Sequence, residues 1–311
     1  MTADAEPDLR AKLDLVAGEV DALLDRLLAA SPAADETARP PRLLDAMRHA
    51  ALSPGKRLRP FLVVETAAMF AVPRARAVTV GAALECLHAY SLVHDDLPAM
   101  DDAATRRGRP SVHAAFDEAT AILAGDALLT LAFDILARED VHPGADVRIA
   151  LVAALARAAG IGGMAGGQML DLVAEGRFSG AKEGFHESDI RQMQSMKTGA
   201  LLRFACRAGG ILAEASTAEI ESLDRYGMAI GEAFQIADDM LDREGDPSAL
   251  GKATGKDDAA GKATLVSVLG AAAARERLAA LVIAANDALA PFAARAAMLK
   301  SAARFIAERR T

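Results

Sequence analysis

Apolar residues recur along most of this chain with the 3.6-residue period of an α-helix. The pattern predicts helices over residues 9–28, 78–94, 119–137, 147–159, 189–208, 218–241, 265–290 and 293–308. Ala, Leu, Glu and Arg supply much of the texture, and all four are good helix formers. Trp is absent, Tyr occurs twice, and no β-branched run alternates polar with apolar. A sheet is therefore a poor organising element for this sequence. Breaks are expected where Gly, Pro and charge gather, at residues 31–42, 105–110, 142–144, 175–184 and 245–261. None reads as a long low-complexity linker. The expectation is one all-α domain over residues 1–311, a helical bundle around a central cavity.

Hydrophobic residues make up 52% of the 311, enough for a large core. The net charge is −8 and no long basic stripe occurs, which argues against a nucleic-acid partner. Cys86 and Cys206 belong to no CxxC pair, so neither a zinc site nor a disulfide framework is expected. Two buried thiols in a reducing, cytoplasmic compartment fit better. The first residues are acidic and lack a basic-then-apolar leader. The apolar runs near 158–170 and 263–274 are too short and too rich in Gly or Ala to span a bilayer. The expectation is a protein that is not an integral membrane protein.

Two acidic clusters interrupt this apolar texture. One is Asp95-Asp96-Leu97-Pro98-Ala99-Met100-Asp101-Asp102, and the other is Asp238-Asp239-Met240-Leu241-Asp242. Residues 83–93 and 228–237, which lead into them, are mostly apolar. Carboxylates among apolar neighbours cost free energy unless a cation compensates them. Asp238 and Asp242 are four apart and share a helix face, whereas Asp239 turns about 100° away. Asp95 and Asp101 are six apart and do not share a face on an ideal helix. Pro98 disfavours helical geometry at Leu97, so a local bulge or break is expected to bring Asp101 back beside Asp95. Facing one cavity, the clusters would hold hard divalent cations, and Mg2+ completes its shell with water and substrate phosphates. A phosphate or diphosphate ester is the substrate class this implies. The spacing matches no EF-hand.

Cations stand near the breaks. Gly55-Lys56-Arg57-Leu58-Arg59-Pro60 is the densest group, and Lys56 and Arg59 are spaced to share a helix face. Arg106, Arg107 and Arg109 follow the first acidic cluster, Lys197 lies in a helical stretch, and Lys252, Lys256 and Lys262 follow the second cluster. Arg offers a planar fork to phosphate and Lys a mobile point charge. The Gly-Lys segments do not fit a P-loop, because Gly255 and Gly261 enclose five residues and Ala263 follows Lys262. No GxSxG or dinucleotide fingerprint occurs.

With these motifs in order, the chain resembles the short-chain trans-polyprenyl diphosphate synthases, the bacterial farnesyl diphosphate synthases most of all. The likeness runs from about Leu43 to the C-terminus. It rests on residues 55–60, 85–94 leading into 95–102, Arg106-Arg107-Gly108, 122–128, 166–172, Lys197-Thr198-Gly199, 234–242, Leu250-Gly251-Lys252 and 261–264. The resemblance implies an isoprenoid-synthase helical fold, a homodimer and three Mg2+ ions. It implies head-to-tail condensation of an allylic diphosphate (dimethylallyl or geranyl) with isopentenyl diphosphate to farnesyl diphosphate. By similarity, Asp95, Asp96, Asp101, Asp238 and Asp242 serve the metal. Arg106, Lys197 and Lys252 grip the allylic diphosphate, while Lys56, Arg59, His88 and Arg107 grip isopentenyl diphosphate. Thr198 and Gln235 resemble residues whose oxygens face the developing cation, and released pyrophosphate is expected to take the proton. His94 and His113 read as structural. Ser53-Pro54 and the residues after Thr264 depart from the family pattern, at no expected ligand.

A bulky side chain five residues before Asp95 lies roughly 7.5 Å down the helix axis, at about 1.5 Å of rise per residue. Tyr90 stands there, with Ser91 beside it, so its ring is expected to floor the product channel and limit chain length. Geranylgeranyl or geranyl diphosphate is the alternative product. A terpene cyclase is less compatible, because both acidic motifs and the isopentenyl grips are intact.

Overall fold

A computed structural model describes residues 5–178, 186–244 and 264–308. The all-α expectation holds. Among the described residues the only strands are two-residue pieces, β1 (Thr105–Arg106) and β2 (Arg109–Pro110), paired antiparallel as one hairpin. The helices are α1 (Ala5–Leu27), α2 (Pro41–Ala51), α3 (Leu58–Ala68), α4 (Arg74–Asp95), α5 (Val112–Ala115), α6 (Glu118–Ala137), α7 (Ala145–Ala159), α8 (Met164–Ala174), α9 (Glu187–Gln194), α10 (Ala200–Leu212), α11 (Thr217–Glu244), α12 (Leu265–Leu269), α13 (Ala271–Ala288) and α14 (Ala297–Glu308). A π-helical turn, Ser195–Gly199, joins α9 to α10, and a 3-10 turn, Ala290–Ala296, precedes α14.

The chain forms two compact units. One, here the α4 unit, comprises Arg10–Val64 and Val72–Val152. The other, the α11 unit, comprises Met1–Leu9, Glu65–Ala71 and Ala153–Thr311.

In the α4 unit, α4 packs along α6. Ala82, Ala83, Leu84 and Leu87 of α4 and Ala121, Ala124, Leu128, Ala132 and Ile135 of α6 are all fully buried. Small residues let the helices approach, and the leucines fill what remains. Truncating a buried leucine such as Leu128 to Ala costs about 2–5 kcal/mol. Asp117 caps α6 by accepting from Thr120 N at 2.7 Å, which satisfies an otherwise unpaired backbone donor.

In the α11 unit, α11 packs on α10, α13 and α14. Tyr226 of α11 is fully buried and donates its hydroxyl to Leu299 O of α14 at 2.7 Å. Burial pushes its phenol well above the usual range. Cys86 and Cys206 are free and buried, as expected, and burial pushes the Cys86 thiol up to about 12.

Several expectations are corrected. The helix expected over 265–290 is broken at Gly270, whose φ of 80° is left-handed. The helix expected from 293 starts at Ala297, because Ala293 has a φ of 51°. Helices α2, α3, α5 and α8 were not expected. α3 runs through the buried residues Phe61, Leu62, Val63 and Val64, so no polar stripe marks its period. α8 contains Gly166 and Gly167, which lower helix propensity. Two stretches, Glu118–Ala137 and Ala145–Ala174, are long and apolar enough by length and composition to cross a membrane, contrary to the sequence reading. The first is α6, apolar because one flank is core; its outer face carries Asp126 and Asp134, exposed by 60% and 56%. The second is interrupted between α7 and α8 at residues 160–163.

Candidate active site

The first acidic cluster starts where α4 ends. Asp95 is the last helical residue and Asp96 the cap. Beyond it Met100 N donates to Leu97 O at 2.8 Å, and Asp101 N donates to Asp95 O at 2.9 Å. The expected break at Pro98 is thus a closed backbone ring that returns Asp101 to Asp95. Asp102 leaves it with a left-handed φ of 48°.

Asp96 is 3% exposed and accepts from Nε and Nη2 of Arg106, the Nε bond being 2.9 Å. Burial pushes its carboxyl up, and Arg106 pulls it back. Burial also works against the charge of Arg106, but the bond and charge of Asp96, with the charges of Asp95 and Asp101, together outweigh it and the guanidinium stays ionised. Arg107 occupies the hairpin turn with a left-handed φ of 52° and donates to Pro54 O at 3.0 Å.

Arg59, on the first turn of α3, places Nη1 3.3 Å from His88 Nε2 on α4. Burial, and then Arg59, Arg107, Arg57 and Arg106, hold the imidazole well below its usual pKa. His88 is therefore neutral and accepts from Arg59. Lys56 does not share a helix face with Arg59, contrary to the spacing argument. α3 starts only at Leu58, and Arg57 between them has a left-handed φ of 47°. Arg57 reaches Asp21 and Glu85, at 2.7 and 2.5 Å.

Tyr90 meets the ring of His94 edge-on, with centroids 5.2 Å apart. His94 Nε2 lies 3.1 Å from Ile122 O, and its ring fills the space over Gly125, where an added Cβ would sit 2.2 Å from Nε2. Burial, and secondarily Asp126, push the Tyr90 phenol up. The Ser91 hydroxyl donates to His88 O at 2.8 Å, within the helix itself.

The α11 unit carries the second group. Lys197 and Thr198 lie in the π turn, a backbone irregularity frequent at functional sites. Gly167 of α8 backs against this turn so closely that a Cβ would lie 2.2 Å from Lys197 N. Lys197 Nζ donates to Asp171 Oδ2 at 2.5 Å. Asp238, Asp239 and Asp242 all lie on α11, the first and last one turn apart. Asp239 accepts from Gln235 Nε2 at 2.7 Å and from Gln194 Nε2 at 3.0 Å. Gln235 is thereby anchored through its amide nitrogen, and its carbonyl oxygen is the other end. Lys252, Lys256 and Lys262 lie outside the described residues.

The structure thus joins Arg59 to His88, Arg106 to Asp96, and Gln235 to Asp239. The sequence reading missed Asp171, Glu85, and the seating of His94 on Gly125. Asp171 stands 26 residues from its lysine, a separation that carries no sequence signal. Among the described residues no three carboxylate, imidazole or thiol side chains form a ready metal cage. Carboxylates in ones and twos suit a hard ion that takes the rest of its shell from water and phosphate, so the donor set fits Mg2+.

Comparison with known proteins follows the same lines. A family model described as Polyprenyl synthetase matches residues 40–291. The chain is 47% identical to the farnesyl diphosphate synthase of Escherichia coli K12 over 237 residues, 76% of this chain and 77% of that protein. It is 42% identical to the farnesyl diphosphate synthase of Haemophilus influenzae, covering 83% of this chain and 86% of that one. The crystal structure of an FPP/GFPP synthase from Zymomonas mobilis superposes with a TM-score of 0.85 at 43% identity, covering 96% of this chain and 99% of that one. With the helical architecture, the two aspartate motifs and these likenesses together, the chain belongs to the polyprenyl synthetase family.

Proposed function

We propose that this protein is a prenyltransferase that joins dimethylallyl and then geranyl diphosphate to isopentenyl diphosphate, giving farnesyl diphosphate. The observation that carries the reading is likeness over most of the chain to farnesyl diphosphate synthases, at up to 47% identity. The cations around His88 support it, because they suit an anionic second substrate.

Members of the family generally depend on Mg2+. Bound to Asp95 and Asp101 and to Asp238 and Asp242, three ions would neutralise charge on the departing pyrophosphate. Arg106, Lys197 and Lys252 hold the allylic diphosphate in this reading, with Asp96 aiming Arg106 and Asp171 aiming Lys197. Lys56, Arg59, His88 and Arg107 hold isopentenyl diphosphate. Thr198 and the carbonyl oxygen of Gln235 face the positive charge that develops on the allyl group, as preorganised dipoles do. In this reading an apolar channel for the growing chain excludes water, which would otherwise capture that cation. Tyr90, with Ser91 beside it, stops the chain. The protein works as one polyprenyl synthase domain, as a cytoplasmic homodimer.

A longer product is the second reading, favoured by the double FPP/GFPP designation of the Zymomonas mobilis enzyme. Incubating purified protein with Mg2+, isopentenyl diphosphate and either dimethylallyl or geranyl diphosphate, then sizing the dephosphorylated prenols, decides. A fifteen-carbon alcohol is expected. A longer alcohol would transfer the assignment to the second reading, and a cyclised hydrocarbon formed without isopentenyl diphosphate would end both.

A further inference from the structure

Arg57 is enclosed: 1% of its side chain is exposed. Its guanidinium gives Nε to Asp21 Oδ1 at 2.8 Å, Nη1 to Glu85 Oε1 at 2.5 Å, and Nη2 to Ala51 O at 2.9 Å and Ser53 O at 3.0 Å. It therefore staples α1, α4 and the end of α2 to the strap that precedes α3. Burial works against its charge, and Glu85 and Asp21 outweigh that effect. Its backbone is left-handed at a φ of 47°, a conformation a non-glycine residue keeps only when its surroundings over-determine it. A buried ion pair is weak evidence for stability, since an apolar pair of the same shape often serves as well. The use of this one is in what it orients.

On one side, Arg57 O accepts from Phe61 N at 3.0 Å and so starts α3, whose first turn aims Arg59 at His88. On the other side, Pro54 O accepts from Arg107, and the Arg107 guanidinium lies 2.6 Å from where a Cβ on Gly55 would sit. Glu85 stands on α4 one turn before His88. Lys56 is the neighbour of Arg57 in the chain. We propose that Arg57 and Glu85 form a positioning pair that sets the mutual register of Lys56, Arg59, His88 and Arg107, and thereby the affinity for isopentenyl diphosphate but not for the allylic diphosphate. This rests on the function proposed above. The pair itself touches no substrate.

The test uses the full-length enzyme with Mg2+. Arg57→Lys keeps the charge and loses the fork, while Glu85→Gln keeps the shape and loses the charge. KM for isopentenyl diphosphate and KM for geranyl diphosphate are measured separately, with product length and Tm. Each single variant is expected to raise the KM for isopentenyl diphosphate by about tenfold or more, since small misplacements of binding groups act steeply. The KM for geranyl diphosphate stays within about twofold and product length does not change, as loss of one binding site predicts. The double variant is no worse than the poorer single, because both remove one coupled interaction. Leu128→Ala, a core truncation, controls for lost stability and leaves both KM values unchanged. Should Arg57→Lys not fold, Glu85→Asp, which retracts the carboxylate, reads the same ratio. Both KM values rising together, or only Tm falling, would overturn the pair's role while the wild type still makes farnesyl diphosphate. A wild type that condenses nothing overturns the functional reading and this inference with it.

Discussion

Tyr90 and His94 form one block of two rings, edge to face, and Gly125 is the recess that seats it. Tyr90→Ala removes the proposed floor, and prenols longer than fifteen carbons are expected by chromatography. Gly125→Ala acts one step removed. Its methyl group claims the space of the His94 ring, which is the mobile end of a side chain and can turn aside. The fold is expected to survive, while product length shifts as Tyr90 loses its edge partner. A fifteen-carbon product from both variants would dismiss the block as a ruler. His88 provides a pH prediction. Its folded pKa lies well below the reference of 6.5, so the unfolded chain binds the extra proton first. The neutral folded form is stable above that reference, and stability falls as pH drops through it. Replacing His88 with Gln, which cannot titrate, is expected to flatten the decline in Tm between about pH 7.5 and 5.5. An unchanged slope would show that His88 titrates normally.

At the level of elements, the π turn Ser195–Gly199 is held by glycines on either side. Gly167 of α8 meets Lys197 N, and Gly231 of α11 lies with its hypothetical Cβ 3.0 Å from Gly199 Cα. Both neighbours are backbone, so neither has a side-chain end that can swing away. Gly167→Ala is expected to cost about 1–3 kcal/mol by overpacking and to lower kcat by moving Lys197; a full-rate enzyme with a normal Tm would refute the tight fit. This turn also marks where sequence reasoning stops. Periodicity located α6 and α11 because each has one buried flank; α4 was located although residues 80–87 are buried on every side. It passed over α3 because its buried run leaves no stripe, and over α8 because glycine, there for close approach, looks like a breaker. The aspartates and most of the cations were legible because charge within apolar sequence stands out. Their supports were not: Lys197 meets Asp171 across 26 residues, and Arg57 meets Glu85 across 28. Tertiary packing alone creates such partners.

For the molecule as a whole, ligand linkage is the accessible observable. The carboxylates hold no ready cage among the described residues, so Mg2+ and pyrophosphate are expected to bind together and each weakly alone. Thermal shifts should be small with either ligand and large with both; at one hundred times Kd the stabilisation is about 2.7 kcal/mol. A chelator should abolish turnover, and added Mg2+ restore it. Equal shifts from pyrophosphate with and without Mg2+ would remove the metal from the binding step.

The two compact units are assembled from interleaved pieces of chain, with Arg10–Val64 and Val72–Val152 in one and the remainder in the other. No single cut therefore separates them, and a gene truncated anywhere leaves at least one of them missing a piece. During translation the α4 unit is the first whose segments have all been made, as residue 152 emerges, while the α11 unit waits for the last helix. A ribosome stalled near that point should already hold a protease-resistant nascent chain.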